Sequence, residues 1–219
     1  MSTPQRTAYS SDHLRTKAIE SIQSGKTDEA VANVDVMYET TKLLHDGLID
    51  TLSSLLTFVA KRYGEETVGE AWRYVGNEMW APFMIVGRKE GWLTFEQLRD
   101  FLIASHWAHH SDFTVEEDDE KAVFTIKDCG VCGRLTKEGK LDNTDRQPGN
   151  YGTIKEAHPW TLGQKGLPYY CVHAPMFFNV LGKELRWDAM DCHFGRQFDK
   201  DGNPVDEPCI TIIYKQPRA

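Results

Sequence analysis

The sequence predicts an α+β fold, in which an N-terminal helical region with a long amphipathic helix precedes an antiparallel sheet with a packed helix. Helical periodicity dominates residues 27–110, strand-like alternation begins after that region, and no cysteine precedes residue 129. We therefore divide the chain into a polar arm at 1–26, a helical region at 27–110 and a cysteine-containing α+β domain at 111–219.

The long helix is the strongest periodic signal. Residues 1–26 are polar with little periodicity, which is typical of a mobile or loosely docked arm. Thr27, followed by two acidic residues, has the composition of an N-cap and first turn, and Gly64 is a natural end. Between them, residues recur at steps of three and four: Val31, Val34, Tyr38, Thr41, His45, Leu48, Leu52, Leu55 and Val59. This near-heptad seam predicts either a homodimer through the long helix or packing inside one subunit.

Two further helices are expected before residue 111. The stretch at 65–91 is helical in pattern but should be broken or ended near Pro82. The stretch at 94–110 begins with capping-box spacing and ends with the sequence "HWAHH". His106 and His110 are one helical turn apart, a spacing that can chelate a metal, although histidines at a helix C-terminus also favour the helix dipole.

The sequence of the second half predicts a sheet with a long loop. "DFTVEEDDEKAVFTIKDC" reads as strand, acidic turn and strand. A Gly- and Pro-rich loop follows, then "YYCVHAPMFFNVLGKELRW", which predicts a short apolar helix. "MDCHFGRQFD", the turn "KDGNP" and "PCITIIYK" predict a closing hairpin.

Charge and composition exclude several classes of function. A net charge of -8 makes binding to nucleic acid or to anionic lipid unfavourable. No apolar run approaches the roughly 20 residues that cross a bilayer, and the first residues lack the features of a secretory signal. We therefore expect a cytoplasmic protein that contacts neither membrane nor nucleic acid. No phosphate-binding loop or serine nucleophile elbow is present, which argues against nucleotide-dependent and serine-hydrolase chemistry.

The most specific local pattern is Cys129-Gly-Val-Cys132-Gly. Two-residue spacing lets both thiolates face one ion, and the glycines permit a tight turn. Two packed thiols and a redox pair are the alternatives. The redox alternative is less favoured because the pair is expected to leave a strand into a loop, without a helix N-terminus. An odd number of cysteines argues against a disulfide framework.

Two other cysteine elements follow downstream. Cys171 and His173 would share one face of an extended segment but would diverge if that segment were helical. Cys192 and Cys209 lie on the two arms of the closing hairpin and would meet if the register allows. Each of these four residues is a candidate ligand, and each has packing in the core as its alternative.

The long loop carries His158 and Trp160 and leads to Tyr169 and Tyr170. Large rings in a Gly- and Pro-rich loop commonly form the wall of a ligand site. The alternative for His158 is a solvated loop histidine.

The order of these elements resembles a known fold. A helical start, an acidic hairpin, "YYC" before a helix, "MDC" and a final strand opened by "PCITIIYK" resemble the 4-vinyl-reductase-like small-molecule-binding fold, over roughly residues 30–215. That group includes aromatic-sensing domains with a zinc site and looks related to the 2-amino-thiazoline-4-carboxylate hydrolase family. The resemblance implies that Cys171, Cys192 and Cys209 are zinc ligands.

These observations predict a cytosolic metal- or thiol-dependent hydrolase or lyase that acts on a small cyclic or aromatic molecule. The alternative is a non-catalytic, zinc-containing small-molecule sensor. The expected catalytic residues are Cys171, His173 and His158, and the expected ligand-contacting rings are Trp160 and Tyr170. The expected zinc ligands come from Cys129, Cys132, Cys171, His173, Cys192 and Cys209, with the first pair facing Cys171 and His173 across one pocket.

Overall fold

The structure is a computed structural model that describes residues 13–142, 149–195 and 207–218. The chain divides into two compact units, Met1–Gly47 and Leu48–Ala219. The expected division near residue 110 therefore falls inside the second unit, where the helices and the sheet share one hydrophobic core.

The first unit contains helix α1 (His13–Gln23) and the start of helix α2 (Thr27–Tyr63). Ala18 and Ser21 of α1 are buried, and their spacing puts them on one face of the helix. Gly25, at a φ of +71°, provides the left-handed residue after the helix. Part of the expected polar arm is thus helical, whereas its residues 1–12 lie outside the described residues.

Helix α2 confirms the predicted long helix. Acidic residues occupy its first turn and basic residues its last turn, which matches the helix dipole at both ends. Gly64 follows at a φ of +95°, where a side chain would be strained. In the second unit, the buried face of α2 consists of Ile49, Ser53, Leu56 and Thr57.

Helix α2 is more apolar than we expected, since the sequence was interpreted as having no run that approaches the length of a membrane span. By length and composition alone it is apolar enough to cross a membrane. The core helix of a soluble protein and a signal sequence pass the same test. The finding therefore concerns the apolar character of α2 and assigns no location.

The break expected near Pro82 is a change of helix type. Helix α3 (Glu66–Val75) continues through a π-helical turn (Gly76–Trp80) into α4 (Ala81–Lys89). The wider π turn directly precedes Pro82, whose ring and missing N–H are incompatible with a regular α-helical interior. Helix α5 (Phe95–Ala108) then begins with the predicted capping box, in which Thr94 and Gln97 exchange side-chain and backbone hydrogen bonds of 3.3 and 3.0 Å.

The antiparallel sheet is confirmed and has four strands in the order β1-β2-β4-β3. They are β1 (Asp112–Glu117), β2 (Lys121–Asp128), β3 (Asp188–His193) and β4 (Cys209–Arg218). Asp118 holds the turn between β1 and β2 by accepting two backbone N–H bonds, as its place in the acidic run suggested. Strands β3 and β4 pair as the expected closing hairpin, and its turn at 200–204 lies outside the described residues.

One face of the sheet is buried. Alternate residues of β2 are buried, as the period of two predicts for a half-buried strand. In the register of the sheet, Phe124 pairs with Thr211, which in turn pairs with Cys192. The π-helical segment Pro175–Leu181 packs against β3 on this side.

One local prediction near the cysteines is wrong. Cys129 and Cys132 were expected to enter a loop, but Cys132 begins helix α6 (Cys132–Lys137). The backbone N–H of Arg134 bonds to the Cys129 carbonyl at 3.1 Å, which closes a turn in this short segment. For the Cys171 segment, the structure has the helical one of the two alternatives, since Tyr169–Val172 is a 3-10 turn that leads into the π-helical segment and α7 (Gly182–Glu184).

Candidate functional site

A cavity of about 120 Å³ in the second unit is lined by several thiol and imidazole groups. All five cysteines line it, and they come from the β2–α6 turn, the 3-10 turn, β3 and β4. The C-terminal end of α5 adds histidines. The imidazole, phenol and thiol groups of the wall belong to His106, His109, Cys129, Cys132, Tyr170, Cys171, His173, Cys192, His193 and Cys209.

Cys132 and Cys171 are joined by a disulfide across this cavity, with their Cα atoms 7.0 Å apart. We expected no disulfide framework, and this bond corrects that expectation for one pair. It forms because the first residue of α6 and the 3-10 turn meet at the cavity, although 39 residues separate them in sequence. In this state neither sulfur is a thiolate, so neither one is a nucleophile or a metal ligand.

Cys129 remains a thiol in the same wall. The backbone N–H of Val131 donates to its sulfur at 3.4 Å. Gly130 lies directly against the carbonyl oxygen of His109, and a Cβ at this position would collide with that backbone atom. The glycine of the motif therefore lets the cysteine turn approach the end of α5.

Cys192 and Cys209 are thiols on the buried face of the sheet. The Cys192 thiol donates to the side-chain oxygen of Asn179 at 3.0 Å, and burial raises its pKa far above the ordinary value. Burial also raises the pKa of Cys209 to about 11, and its sulfur lies 3.6 Å from the carbonyl oxygen of Gly195. Both groups are therefore protonated at neutral pH, which makes them poor nucleophiles.

His173 reaches the cavity even though its segment is helical. Its Nδ1 lies 2.7 Å from the Tyr170 carbonyl oxygen. Because a carbonyl only accepts, Nδ1 carries the hydrogen and Nε2 carries the lone pair. Burial lowers the pKa of His173 to about 4, so the ring is neutral at pH 7. Its Nε2 lone pair can accept a hydrogen bond, but the neutral ring offers no positive charge to stabilise a neighbouring thiolate.

The histidines at the end of α5 are not arranged as predicted. The helix ends at Ala108, and His110 has a left-handed φ of +50°, so the expected one-turn relation between His106 and His110 is absent. His106 and His109 line the cavity instead. Burial lowers the pKa of His106 to about 4, and the Nδ1 atom of His109 lies 2.7 Å from the Ser105 carbonyl oxygen.

Of the four loop candidates, Tyr170 lines the cysteine cavity, and His158, Trp160 and Tyr169 do not. Burial, with a contribution from Cys129, raises the pKa of Tyr170 to about 12. Its hydroxyl therefore stays protonated, and the ring forms part of the cavity wall.

His158 and Trp160 lie at a separate cluster beside the N-terminus of α3. Nε2 of His158 is 2.9 Å from Glu65, Nδ1 is 3.0 Å from Glu66, and the imidazole stacks on the indole of Trp160 at 4.3 Å. Trp160 in turn packs on Gly69, where no larger residue fits. These two residues were expected to cover the cysteine cavity, and the structure places them elsewhere.

Glu65 is the residue of this cluster that the sequence did not single out. It accepts bonds from the backbone N–H groups of Lys155 and Glu156 at 2.8 and 3.0 Å, and from the Tyr169 hydroxyl at 3.1 Å. Burial alone would raise its pKa, but these bonds and the bond from His158 outweigh burial and lower it. We name this arrangement the Glu65 anchor, because it ties residues 155–169 to the start of α3.

The cavity does not fit a metal ion while its disulfide is closed. No group of three or more His, Cys, Asp or Glu side chains is arranged as a metal site within the described ranges. Two of the six expected zinc ligands, Cys132 and Cys171, are bonded to each other. Their sulfurs become potential ligands only after reduction.

Comparison of the chain with family models, with curated proteins and with solved structures gives no match. The resemblance to the 4-vinyl-reductase-like fold therefore stays a prediction.

Proposed function

We propose that this chain is a thiol-dependent cytoplasmic enzyme, a hydrolase or lyase, that acts on a small cyclic or aromatic molecule. One observation carries the proposal: a single small cavity is lined by Cys171, by the neutral imidazole of His173 and by aromatic rings. Enzyme sites commonly combine an apolar pocket with a few convergent groups of perturbed pKa.

The volume of the cavity supports a substrate with one ring. Its 120 Å³ is somewhat smaller than an engineered apolar cavity of about 150 Å³ that binds benzene. Leu102, Ile126, Tyr170, Phe178 and Phe194 supply apolar surface around this space. A five- or six-membered ring matches both the volume and the apolar wall.

The proposed chemistry begins after reduction of the disulfide. The thiol of Cys171 gives its proton to Nε2 of His173, and the sulfur attacks an electrophilic carbon of the substrate. In a cyclic ester, thioester or amide, this attack breaks the bond from the carbonyl carbon to the ring heteroatom, which takes the proton from His173 and stays attached to the opened chain. The acyl group left on Cys171 is then removed by water, which restores the thiol and gives the open-chain acid. The carbonyl of Tyr170 holds the imidazole in the tautomer that accepts the proton.

The test uses small lactams and thiolactones with five- or six-membered rings, incubated with the reduced chain. We expect turnover and a covalent adduct on Cys171, seen by intact-mass and peptide mass spectrometry. Cys171→Ser should lose the adduct, and His173→Gln should slow its formation at least tenfold. Cys192→Ala should retain the adduct, because that thiol is held protonated. If no compound acylates Cys171 and none is turned over by the folded, reduced chain, the proposal is wrong.

A zinc-containing small-molecule sensor is the second candidate. It is favoured by the number of sulfur and imidazole groups around one cavity and by the Nδ1–carbonyl contacts of His109 and His173, which are typical of histidines oriented for a metal. When bound by four protein groups, zinc would supply structural stability to the reduced state. One zinc per reduced chain, without adduct formation on Cys171, would favour this candidate.

A homodimer through α2 is also proposed. Val31, Val34 and Tyr38 are each about half exposed in the first unit, and so are Leu48 and Leu55 in the second. These five positions belong to the heptad seam, and a second copy would cover them. We expect sedimentation of the full chain as a dimer, and of a Val34→Glu/Tyr38→Glu variant as a monomer. Glu39→Gln, at an exposed position beside the seam, is the control. A monomeric wild-type chain at 100 µM would exclude the dimer.

A further inference from the structure

Three cysteines of the cavity are placed to share one disulfide. Cys132 is bonded to Cys171, and Cys129, three residues before Cys132, is a thiol in the same cavity wall. One pair of these sulfurs forms the disulfide and Cys129 carries a thiol, which is the combination that thiol–disulfide exchange requires.

The local chain favours an approach of Cys129 to Cys132. The N–H of Val131 contacts the Cys129 sulfur at 3.4 Å, and the N–H of Arg134 bonds to the Cys129 carbonyl at 3.1 Å. These contacts fold residues 129–134 back on themselves. Cysteines with two residues between them form disulfides readily in such turns, as the redox-active Cys-x-x-Cys motifs do.

The other two thiols are held in different hydrogen bonds. Cys192 donates to the Asn179 side chain, and Cys209 lies against the Gly195 carbonyl. Both sit on the sheet, and burial raises the pKa of each. Cys129 lies in the same cavity wall as the disulfide and three residues before Cys132, so its position is the one that favours attack on the disulfide.

We propose that Cys129, Cys132 and Cys171 form a thiol–disulfide exchange centre. The Cys129 thiol loses its proton to solvent, and its sulfur attacks the sulfur of Cys132. The Cys129–Cys132 bond forms as the Cys132–Cys171 bond breaks. The electron pair of the broken bond stays on Cys171, which becomes a thiolate and can take up a proton. One disulfide and one thiol exist before and after the step, so no external oxidant or reductant is consumed.

The exchange would place a free Cys171 in the cavity beside His173. It would thereby convert the blocked form of the site into one with its nucleophile available, without full reduction of the protein. The exchange itself is independent of the proposed hydrolase or lyase activity, because it needs only the three sulfurs.

The test maps disulfides in the full-length chain. The protein is equilibrated with a chelator in glutathione buffers at pH 8, quenched in acid, alkylated and digested for mass spectrometry. We expect both Cys132–Cys171 and Cys129–Cys132 pairs, with at least a tenth of the oxidised chains in the second form. Their interconversion should be first order and independent of protein concentration, and it should slow as the pH falls, because the thiolate is the attacking species.

Variants separate the two pairings. Cys129→Ser should retain only Cys132–Cys171, Cys171→Ser should form only Cys129–Cys132, and Cys192→Ala should keep the wild-type mixture. The proposal is overturned if wild type holds Cys132–Cys171 alone in every buffer. It is also overturned if Cys129 and Cys132 stay as free thiols in Cys171→Ser under oxidising conditions. The wild-type result decides the matter even where a variant fails to fold. Acylation of Cys171 in the fully reduced chain is a separate readout, so this proposal and the proposed function fail independently.

Discussion

The cysteine cavity and the Glu65 anchor each contain a histidine, but they surround it with opposite chemistry. In the cavity, His173 packs among aromatic rings and bonds to one backbone carbonyl, so its pKa falls to about 4. In the anchor, both nitrogens of His158 face carboxylates. The comparison teaches that the surroundings decide the state of each histidine: the first is a neutral ring and the second links two carboxylates.

The largest expected effect comes from breaking the anchor. Glu65→Ala removes the acceptor of two backbone N–H groups, the Tyr169 hydroxyl and the His158 ring. Unfolding free energy should fall by about 3 kcal/mol, because each buried group left unpaired costs about 1–3 kcal/mol and some regain water. Urea denaturation measures this loss. The control Glu66→Ala, at an exposed side chain, should cost less than about 1 kcal/mol. Equal losses for the two variants would contradict the anchor.

The pH dependence of stability should separate the two regions. An unfolded His173 takes up a proton near pH 6.5, whereas the folded ring does so only near pH 4. Its contribution to stability is therefore full above pH 6.5 and is lost progressively as the pH falls to 4, by up to about 3 kcal/mol.

The anchor should respond in a lower pH window. The pKa of Glu65 is lowered from 4.5, so its contribution is present above that value and is lost as the pH falls through its folded pKa. Denaturation of wild type and His173→Gln between pH 3 and 8 checks both expectations. Between pH 6.5 and 4, the unfolding free energy of the variant should depend on pH less steeply than that of wild type, by the equivalent of about one proton. Below pH 4 the two proteins should show the same dependence. An unchanged slope in the upper window would contradict the neutral His173.

The smallest expected effect tests whether the two regions are independent. Trp160→Phe keeps a ring beside His158 but removes the 3.0 Å bond from its indole nitrogen to the exposed Glu66. Stability should fall by only about 0.5 kcal/mol, and the alkylation rate of Cys171 in the reduced chain should stay within twofold. A larger change in that rate would mean that Trp160 acts on the cavity.

Local patterns predicted most of the fold. Apolar residues at steps of three and four, followed by a glycine, predicted α2. The capping-box residues predicted the start of α5, and alternating residues predicted the β1–β2 hairpin. They failed where tertiary contacts decide the backbone. Cys132 begins a helix because the chain turns at Gly130 against the His109 carbonyl, and nothing in the local sequence records that contact.

The candidate site was predictable in composition but not in arrangement. The concentration of thiols in the second half indicated a common site, and the five cysteines do line one cavity. The disulfide partner of Cys132 lies 39 residues away, and the inclusion of His109 depends on where α5 ends. Glu65 carries no motif, since its role comes from loop groups about 90 to 104 residues away that converge on one carboxylate.

The central claim is that one cavity holds five sulfurs of unequal reactivity, with Cys171 as the functional one. Quantitative alkylation of the reduced, folded chain at pH 7 measures all five rates in one experiment. Cys171 should react at least tenfold faster than Cys192 and Cys209, whose pKa values burial raises. Equal rates at the five positions, or faster reaction of Cys192 than of Cys171, would contradict the account.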